Sequence, residues 1–194
     1  MSPQLDGWPA LTSAQAPEYS AEERTLLLRL AHESIAAALE GRTIDLASPN
    51  PHLDEARGAF TTLHLRGSLK GCIGYVFPTH SLYRTIAETA QAAAFEDPRF
   101  EPVTAAEAAE LKIEISILSP LRPVLPEQVE VGRHGLVVNQ GNRRGLLLPQ
   151  VPVEWDWDRE TFLAQTCLKA GLPPDAWQRG AELHAFTAEV FGEG

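Results

Sequence analysis

The chain has 194 residues, 44% of them apolar, which is enough to build one hydrophobic core with room for a smaller lobe. Its 26 acidic and 16 basic side chains give a net charge of −10. This balance disfavours nucleic acid as a partner, because the average surface repels phosphate. The first 20 residues lack the basic and apolar stretches of a secretion signal, and no apolar run is long enough to cross a bilayer. We therefore expect a cytoplasmic protein.

The first predicted element is a helix that follows a flexible N-terminal arm of residues 1–19, in which three prolines oppose regular structure. Ser20 and Glu23 have the spacing of a capping box at a helix N-terminus. Apolar residues then recur at helical spacing until Gly41 ends the helix. We expect a single domain over residues 20–191.

A hairpin and a second helix are predicted next. Residues 60–65 and 69–77 have the composition of two strands joined by a short connection that contains glycine. A helix is expected over residues 81–95, with an apolar stripe on one face. In the turn that follows, Asp97 or its neighbour Glu96 is expected to form an exposed ion pair with Arg99, worth about 0 to 1 kcal/mol.

The sequence of the second half of the chain predicts further strands and one helix. Residues 111–117 alternate between apolar and polar, as a half-buried strand does. Residues 129–138 and 144–148 are expected to form a second hairpin, which is a candidate for a smaller lobe. Asp158 is predicted to cap a helix, and residues 182–191 alternate well enough for a final strand.

One cysteine lies between glycines within the second predicted strand. Glycine weakens a strand, and Gly71 and Gly74 are expected to let another backbone or a ligand approach Cys72. The functional interpretation is a reactive or ligand-contacting thiol, with the thiolate favoured by Lys70 on the same strand face. The alternative is a small buried hydrophobe at a bulge. The other cysteine, Cys167, shares an apolar helix stripe and is expected to be core.

A cysteine nucleophile needs a base within hydrogen-bond reach. His134 and Glu114 are the best candidates for this role, and His64 on the neighbouring strand is the alternative. His134 is as easily a turn residue, because it lies next to glycine. A metal site built from Cys72 and either histidine is a weaker alternative, since no ligand spacing requires a metal.

Two tryptophans mark a candidate docking surface. Trp155 and Trp157 alternate with Asp156 and Asp158 just before the helix that Asp158 is expected to cap. The pattern suits an aromatic docking ridge, although tryptophans beside a helix start more often pack into the core.

Six runs in this order and spacing resemble the AMMECR family, over about residues 20 to 191. The chain is similar in particular to the members called AmmeMemoRadiSam system protein A. The family usually has arginine where this chain has Lys70, so the charge is kept and the planar guanidinium is not. The runs are residues 69–74, 95–100, 113–116, 132–136, 148–151 and 157–158.

The resemblance implies an α+β fold with a mixed or largely antiparallel sheet flanked by helices. It implies a larger lobe and a smaller lobe, the latter within about residues 120–157, with a cleft that would hold the shared runs. It also implies a Memo-like protein and a radical SAM protein as partners, and it supplies no reaction and no cofactor. A homodimer is a further option.

We therefore expect an accessory component of a three-part system whose cleft around Cys72 binds a small molecule or a modified side chain. A thiol-dependent enzyme with Cys72 as nucleophile is the alternative, and a nucleic-acid-binding regulator is least favoured. The candidate catalytic residues are Cys72, His134 and Glu114. The candidate binding residues are Lys70, Gly71, Ile73, Gly74, Asp97, Arg99, Arg144 and Trp157, and no metal ligand is expected.

Overall fold

The computed structural model describes residues 17–193, which fall into two compact units. One unit contains residues 17–119 and 189–193, and the other contains residues 120–188. Most of the predicted N-terminal arm lies outside the described residues, but Tyr19 is buried in the core of the first unit. No helix in the described part of the chain is long and apolar enough to span a membrane.

In its described part the chain forms five α-helices and eight β-strands, and short 3₁₀ turns occur at Pro126–Gln128 and Ala176–Gln178. The helices are α1 (Ala21–Leu39), α2 (Leu82–Phe95), α3 (Ala105–Ala108), α4 (Val151–Glu154) and α5 (Arg159–Lys169). The strands are β1 (Ala59–Leu65), β2 (Ser68–Tyr75), β3 (Leu111–Leu118), β4 (Arg122–Pro123), β5 (Gly135–Gln140), β6 (Arg143–Leu147), β7 (Glu182–Phe186) and β8 (Ala188–Gly192).

The first unit is a four-stranded sheet with α1 and α2 packed on one face. The strand order is β2-β1-β3-β8, so β2 is an edge strand. Alternate residues such as Leu63 and Ile115 are fully buried with the helices, and the Thr61 hydroxyl is 2.8 Å from that of Thr89 on α2. The opposite face of the sheet carries the candidate residues Cys72 and Glu114.

The second unit is a four-stranded sheet in the order β4-β7-β5-β6, on which α5 packs. Phe162, Leu163 and Cys167 of α5 are fully buried with Leu136 and Val138 of β5. Cys167 is therefore a core residue, as predicted. The α+β class and the antiparallel pairing are confirmed, and the strands form two separate sheets.

Local sequence signals predicted the positions of most helices and strands correctly. The capping box of Ser20 and Glu23 is present at the start of α1, with both of its hydrogen bonds formed. Asp158 caps α5 by accepting the N–H of Thr161 at 2.8 Å. Both predictions are confirmed. A cap can be predicted from the sequence because it depends on a few neighbouring residues and not on the tertiary fold.

The second predicted hairpin differs from the structure at its start. The first strand was expected from residue 129, but β5 begins at Gly135. The preceding residues form a turn in which the N–H of His134 donates to the carbonyl of Glu130 at 3.0 Å and Gly132 has a φ of +82°. A left-handed glycine is incompatible with a continuous strand, so the prediction for residues 129–134 was wrong.

The last predicted strand, residues 182–191, is also wrong as a single element. It consists of β7 and β8, which are separated at Thr187 and belong to different sheets. Apolar alternation continues through the break, and so the pattern does not reveal that the chain changes sheet.

Candidate functional site

The backbone of Cys72 is held by a turn that follows α2. Asp97 Oδ2 accepts the N–H of Cys72 at 2.9 Å, and Arg99 Nη2 donates to its carbonyl oxygen at 3.2 Å. In an antiparallel sheet every second residue of an edge strand has both backbone groups directed away from its neighbour. The turn therefore supplies to Cys72 the two hydrogen bonds that a further strand would supply.

The Asp97 carboxylate is the centre of this turn. Its side chain is only 2% exposed, and it accepts hydrogen bonds from the backbone N–H, Nε and Nη2 of Arg99 at 3.1, 2.9 and 2.7 Å. The Arg99 guanidinium, helped by the N–H of Cys72, holds the pKa of Asp97 well below its usual range. An exposed pair was expected here. That expectation was wrong for Asp97, although Arg99 is 57% exposed and lies over the Phe100 ring at 5.3 Å.

The Cys72 thiol is half-buried on the sheet face away from the helices. It lies opposite Thr62 on β1, whose hydroxyl donates to Sγ at 3.2 Å. Residues in such a non-hydrogen-bonded pair lie close together, which brings the two side chains into contact. The sulfur is thus fixed as a hydrogen-bond acceptor.

The glycines beside Cys72 have packing roles. A Cβ at Gly71 would collide with the carbonyl oxygen of Ala93, so this glycine lets α2 approach β2 backbone to backbone. A Cβ at Gly74 would collide with the Phe60 ring. The sequence suggested that another backbone or a ligand approaches at these glycines. The backbone alternative is confirmed at Gly71, and protein groups occupy the space above both glycines.

Lys70 is bound by a carboxylate from α3. Its ammonium lies 3.0 Å from Glu107 Oε1, and both side chains are largely buried. Glu107 also accepts the N–H and hydroxyl of Thr104, completing a capping box. The backbone hydrogen bond from Thr104, followed by the one from Lys70, lowers the pKa of Glu107 to about 2.

We expect Glu107→Gln to lower stability at neutral pH, with a deficit that disappears in acid. A glutamine keeps the capping box through its amide oxygen, but it removes the charge and presents a donor NH2 group to Lys70 in place of the acceptor. Because the folded-state pKa lies below the ordinary 4.5, the ionised carboxylate stabilises fully above about pH 4.5, and this contribution is lost as the pH falls towards 2. Urea unfolding of both proteins at several pH values measures this. Glu114→Gln is the control, and an equal deficit at all pH values would contradict the prediction.

Glu114 and His64 lie on the same sheet face as Cys72 without bonding to it. Thr62 pairs with Cys72 on one side and Glu114 on the other, so Glu114 is two strand spacings, about 10 Å, from Cys72. His64 lies two residues beyond Thr62 on β1, past a register shift between Leu63 and His64. The described residues contain no group of three or more His, Cys, Asp or Glu side chains able to hold a metal ion.

Three candidates belong to the second unit. His134 is fully buried, its Nδ1 accepts the N–H of Glu130 at 3.1 Å, and burial lowers its pKa. Arg144 donates from Nε to Asn139 Oδ1 at 2.6 Å on the surface. Trp157 is half-buried against the core of that unit. The remaining candidate, Ile73, packs into the core of the first unit.

Sequence reasoning missed two residues that contact the site. Thr62 donates to the sulfur, and Glu107 binds Lys70. The capping signal of Thr104 and Glu107 was visible in the sequence, but nothing local connects Glu107 to β2. The contact between Thr62 and Cys72 can be predicted only when the register of β1 and β2 is known.

Comparison with known proteins finds a family model, relatives and a solved structure that match most of the chain. A family model described as AMMECR1 matches residues 28–191. A protein of Thermococcus gammatolerans is 45% identical over 181 residues, covering 86% of this chain and 88% of that protein. A protein of Methanopyrus kandleri is 45% identical over 184 residues, covering 89% of each. The crystal structure of the uncharacterized protein PH0010 from Pyrococcus horikoshii is 43% identical, with a TM-score of 0.72, and covers 87% of this chain and 90% of that one.

Proposed function

Because the chain belongs to the AMMECR1 family, we propose that it is the accessory component of a three-part system with a Memo-like protein and a radical SAM protein. Its functional site is centred on Cys72 and binds a small molecule or a modified side chain. The observation that carries the proposal is the fixed position of Cys72, whose N–H, carbonyl and thiol are each held by a different side chain while the residue stays partly exposed.

The contacts of the sulfur favour binding over nucleophilic catalysis. A thiol nucleophile needs a base that removes its proton and a group that orients the base. Among residues 17–193, the side chain hydrogen bonded to Sγ is Thr62, which donates its own proton. Asp97 and Arg99 hold the backbone instead, and so they position the thiol rather than activate it.

The test is modification of Cys72 followed by partner retention. Iodoacetamide is expected to alkylate Cys72 in the folded protein, because the residue is partly exposed. Cys167 is the internal control, because it is fully buried and burial raises the pKa of its thiol. Peptide mass spectrometry after timed labelling measures both rates.

Tagged protein is then mixed at low salt with the purified Memo-like and radical SAM proteins of the same organism. We expect the unmodified protein to retain at least one of them, and the alkylated protein to retain less. Failure to retain either protein contradicts the accessory role. Full retention after complete alkylation contradicts the assignment of the site to Cys72. Turnover of an added substrate that is lost in Cys72→Ser would favour the enzyme alternative.

A further inference from the structure

Trp155 is the most exposed large apolar side chain in the part of the chain that the structure describes, with 68% of its surface accessible. Val153, two residues earlier, is 59% exposed. Tryptophan is seldom left so open, and an exposed aromatic next to a second apolar side chain is typical of an interaction surface. We call Val153, Glu154, Trp155 and Asp156 the tryptophan surface.

The backbone holds Trp155 in this exposed position. Helix α4 ends at Glu154 with Trp155 as its C-cap, and Asp156 then adopts a left-handed conformation with a φ of +51°. The N–H of Trp157 donates to the carbonyl of Pro152 at 2.8 Å, which closes the turn. The rings of Trp155 and Trp157 stack at 6.3 Å with an angle of 21° between their planes. Trp157 packs on the core and its ring holds the ring of Trp155 in place. Trp155 therefore loses little side-chain conformational entropy when it binds a partner.

The charge around Trp155 is negative. Residues 154–160 contain four acidic side chains and one basic one, Arg159, which donates to a backbone carbonyl. Asp158 is committed to capping α5. Glu154 and Asp156 are exposed and have no ion-pair partner among residues 17–193. An uncompensated negative charge next to an open indole favours a cation, since arginine and lysine bind to the face of tryptophan.

We propose that the tryptophan surface binds a basic segment of a partner protein, with an arginine or lysine side chain stacked on the indole of Trp155. Glu154 and Asp156 attract the positive charge, and Val153 covers the aliphatic part of the bound side chain. The inference rests on the proposed accessory role, which requires a docking surface, but it does not depend on Cys72. The acidic surroundings exclude a phosphate backbone from the same surface.

The test uses the full-length protein and a fluorescein-labelled peptide in which glycine alternates with arginine, followed by fluorescence anisotropy. We expect Trp155→Ala to raise the Kd about fivefold, because the cation–π contact is lost. Asp156→Asn should raise it about twofold, since one charge is removed and asparagine tolerates the left-handed conformation. A peptide with glutamate in place of arginine should not bind.

Three matched variants separate this surface from general charge effects. Leu168→Ala removes another exposed apolar side chain of the same unit, Glu182→Gln removes an exposed charge on β7, and Cys72→Ser changes the proposed site. All three should bind the arginine peptide as the parent does. Unchanged binding by Trp155→Ala, or equal weakening by Glu182→Gln and Asp156→Asn, would overturn the inference. If peptide binding depends on Trp155 while neither purified partner is retained, only the accessory role is contradicted.

Discussion

Gly71→Ala is expected to destabilise the first unit by about 3 kcal/mol or more. Overpacking a core costs about 1 to 3 kcal/mol when side chains can move aside. At Gly71 the new methyl group would meet the carbonyl oxygen of Ala93, which is part of the backbone of α2. No rotamer change relieves this contact, so α2 or β2 must shift as a whole. Thermal and urea unfolding of the purified variant measure the loss.

Leu69→Ala is the matched control for this prediction. Leu69 lies on the same strand and is exposed, so its truncation should change the stability by no more than about 0.5 kcal/mol. Ala93→Gly should not rescue Gly71→Ala, because the collision involves a backbone atom and not the Ala93 methyl group. A Gly71→Ala protein as stable as the parent would show that the close approach of α2 is not required at this position.

Most elements of the first unit could be predicted because their signals are local. Capping residues fix the start of α1, and a two-residue turn of Arg66 and Gly67, both with positive φ, joins β1 to β2. Such signals depend on a few neighbouring side chains. The division of residues 182–191 between two sheets depends on what each half pairs with, and that information is distributed over the whole chain.

The face on which Cys72 lies depends on one extra residue in the hairpin. Counting back from the turn, Leu65 pairs with Ser68 and His64 with Leu69. The register then shifts, so that Cys72 pairs with Thr62. Without this bulge Cys72 would pair with Thr61, whose side chain faces α2, and the thiol would point into the core. The sequence allowed both a bulge and a regular strand, so it could not decide between them.

The burial of Asp97 was also beyond sequence reasoning. The run from Asp97 to Arg99 is polar and contains a proline, which is typical of an exposed turn. Its partner is the edge of a strand 25 residues earlier, and the N–H of Cys72 becomes available only because β2 has no neighbour on that side. Asp97 and Arg99 were named as binding candidates from the sequence, but their contacts with the backbone of Cys72 were not predicted.

We expect Asp97→Asn to cost about 2 to 3 kcal/mol and to release Cys72. Asparagine has nearly the same shape as aspartate, but an NH2 group that donates replaces one of the two carboxylate oxygens. Asp97 is surrounded by donors from Cys72 and Arg99, so this NH2 group would face another donor. Removing one partner of a fully buried ion pair costs about 3 to 5 kcal/mol. The cost is smaller here because Arg99 is more than half exposed and stays hydrated.

The pH dependence separates this charge effect from a packing defect. Because the pKa of Asp97 in the folded protein lies well below the ordinary 3.8, ionised Asp97 stabilises at all pH values above about 4. This contribution is lost as the pH falls below that value, so the difference in unfolding free energy between parent and Asp97→Asn should be constant from pH 5 to 8 and narrow in acid.

Arg99→Lys, which keeps the charge and loses the bidentate geometry, should have an intermediate stability. Alkylation of Cys72 at neutral pH should be faster in Asp97→Asn than in the parent, since the strand edge is no longer fixed. An unchanged labelling rate together with a deficit that persists in acid would show that Asp97 only fills space.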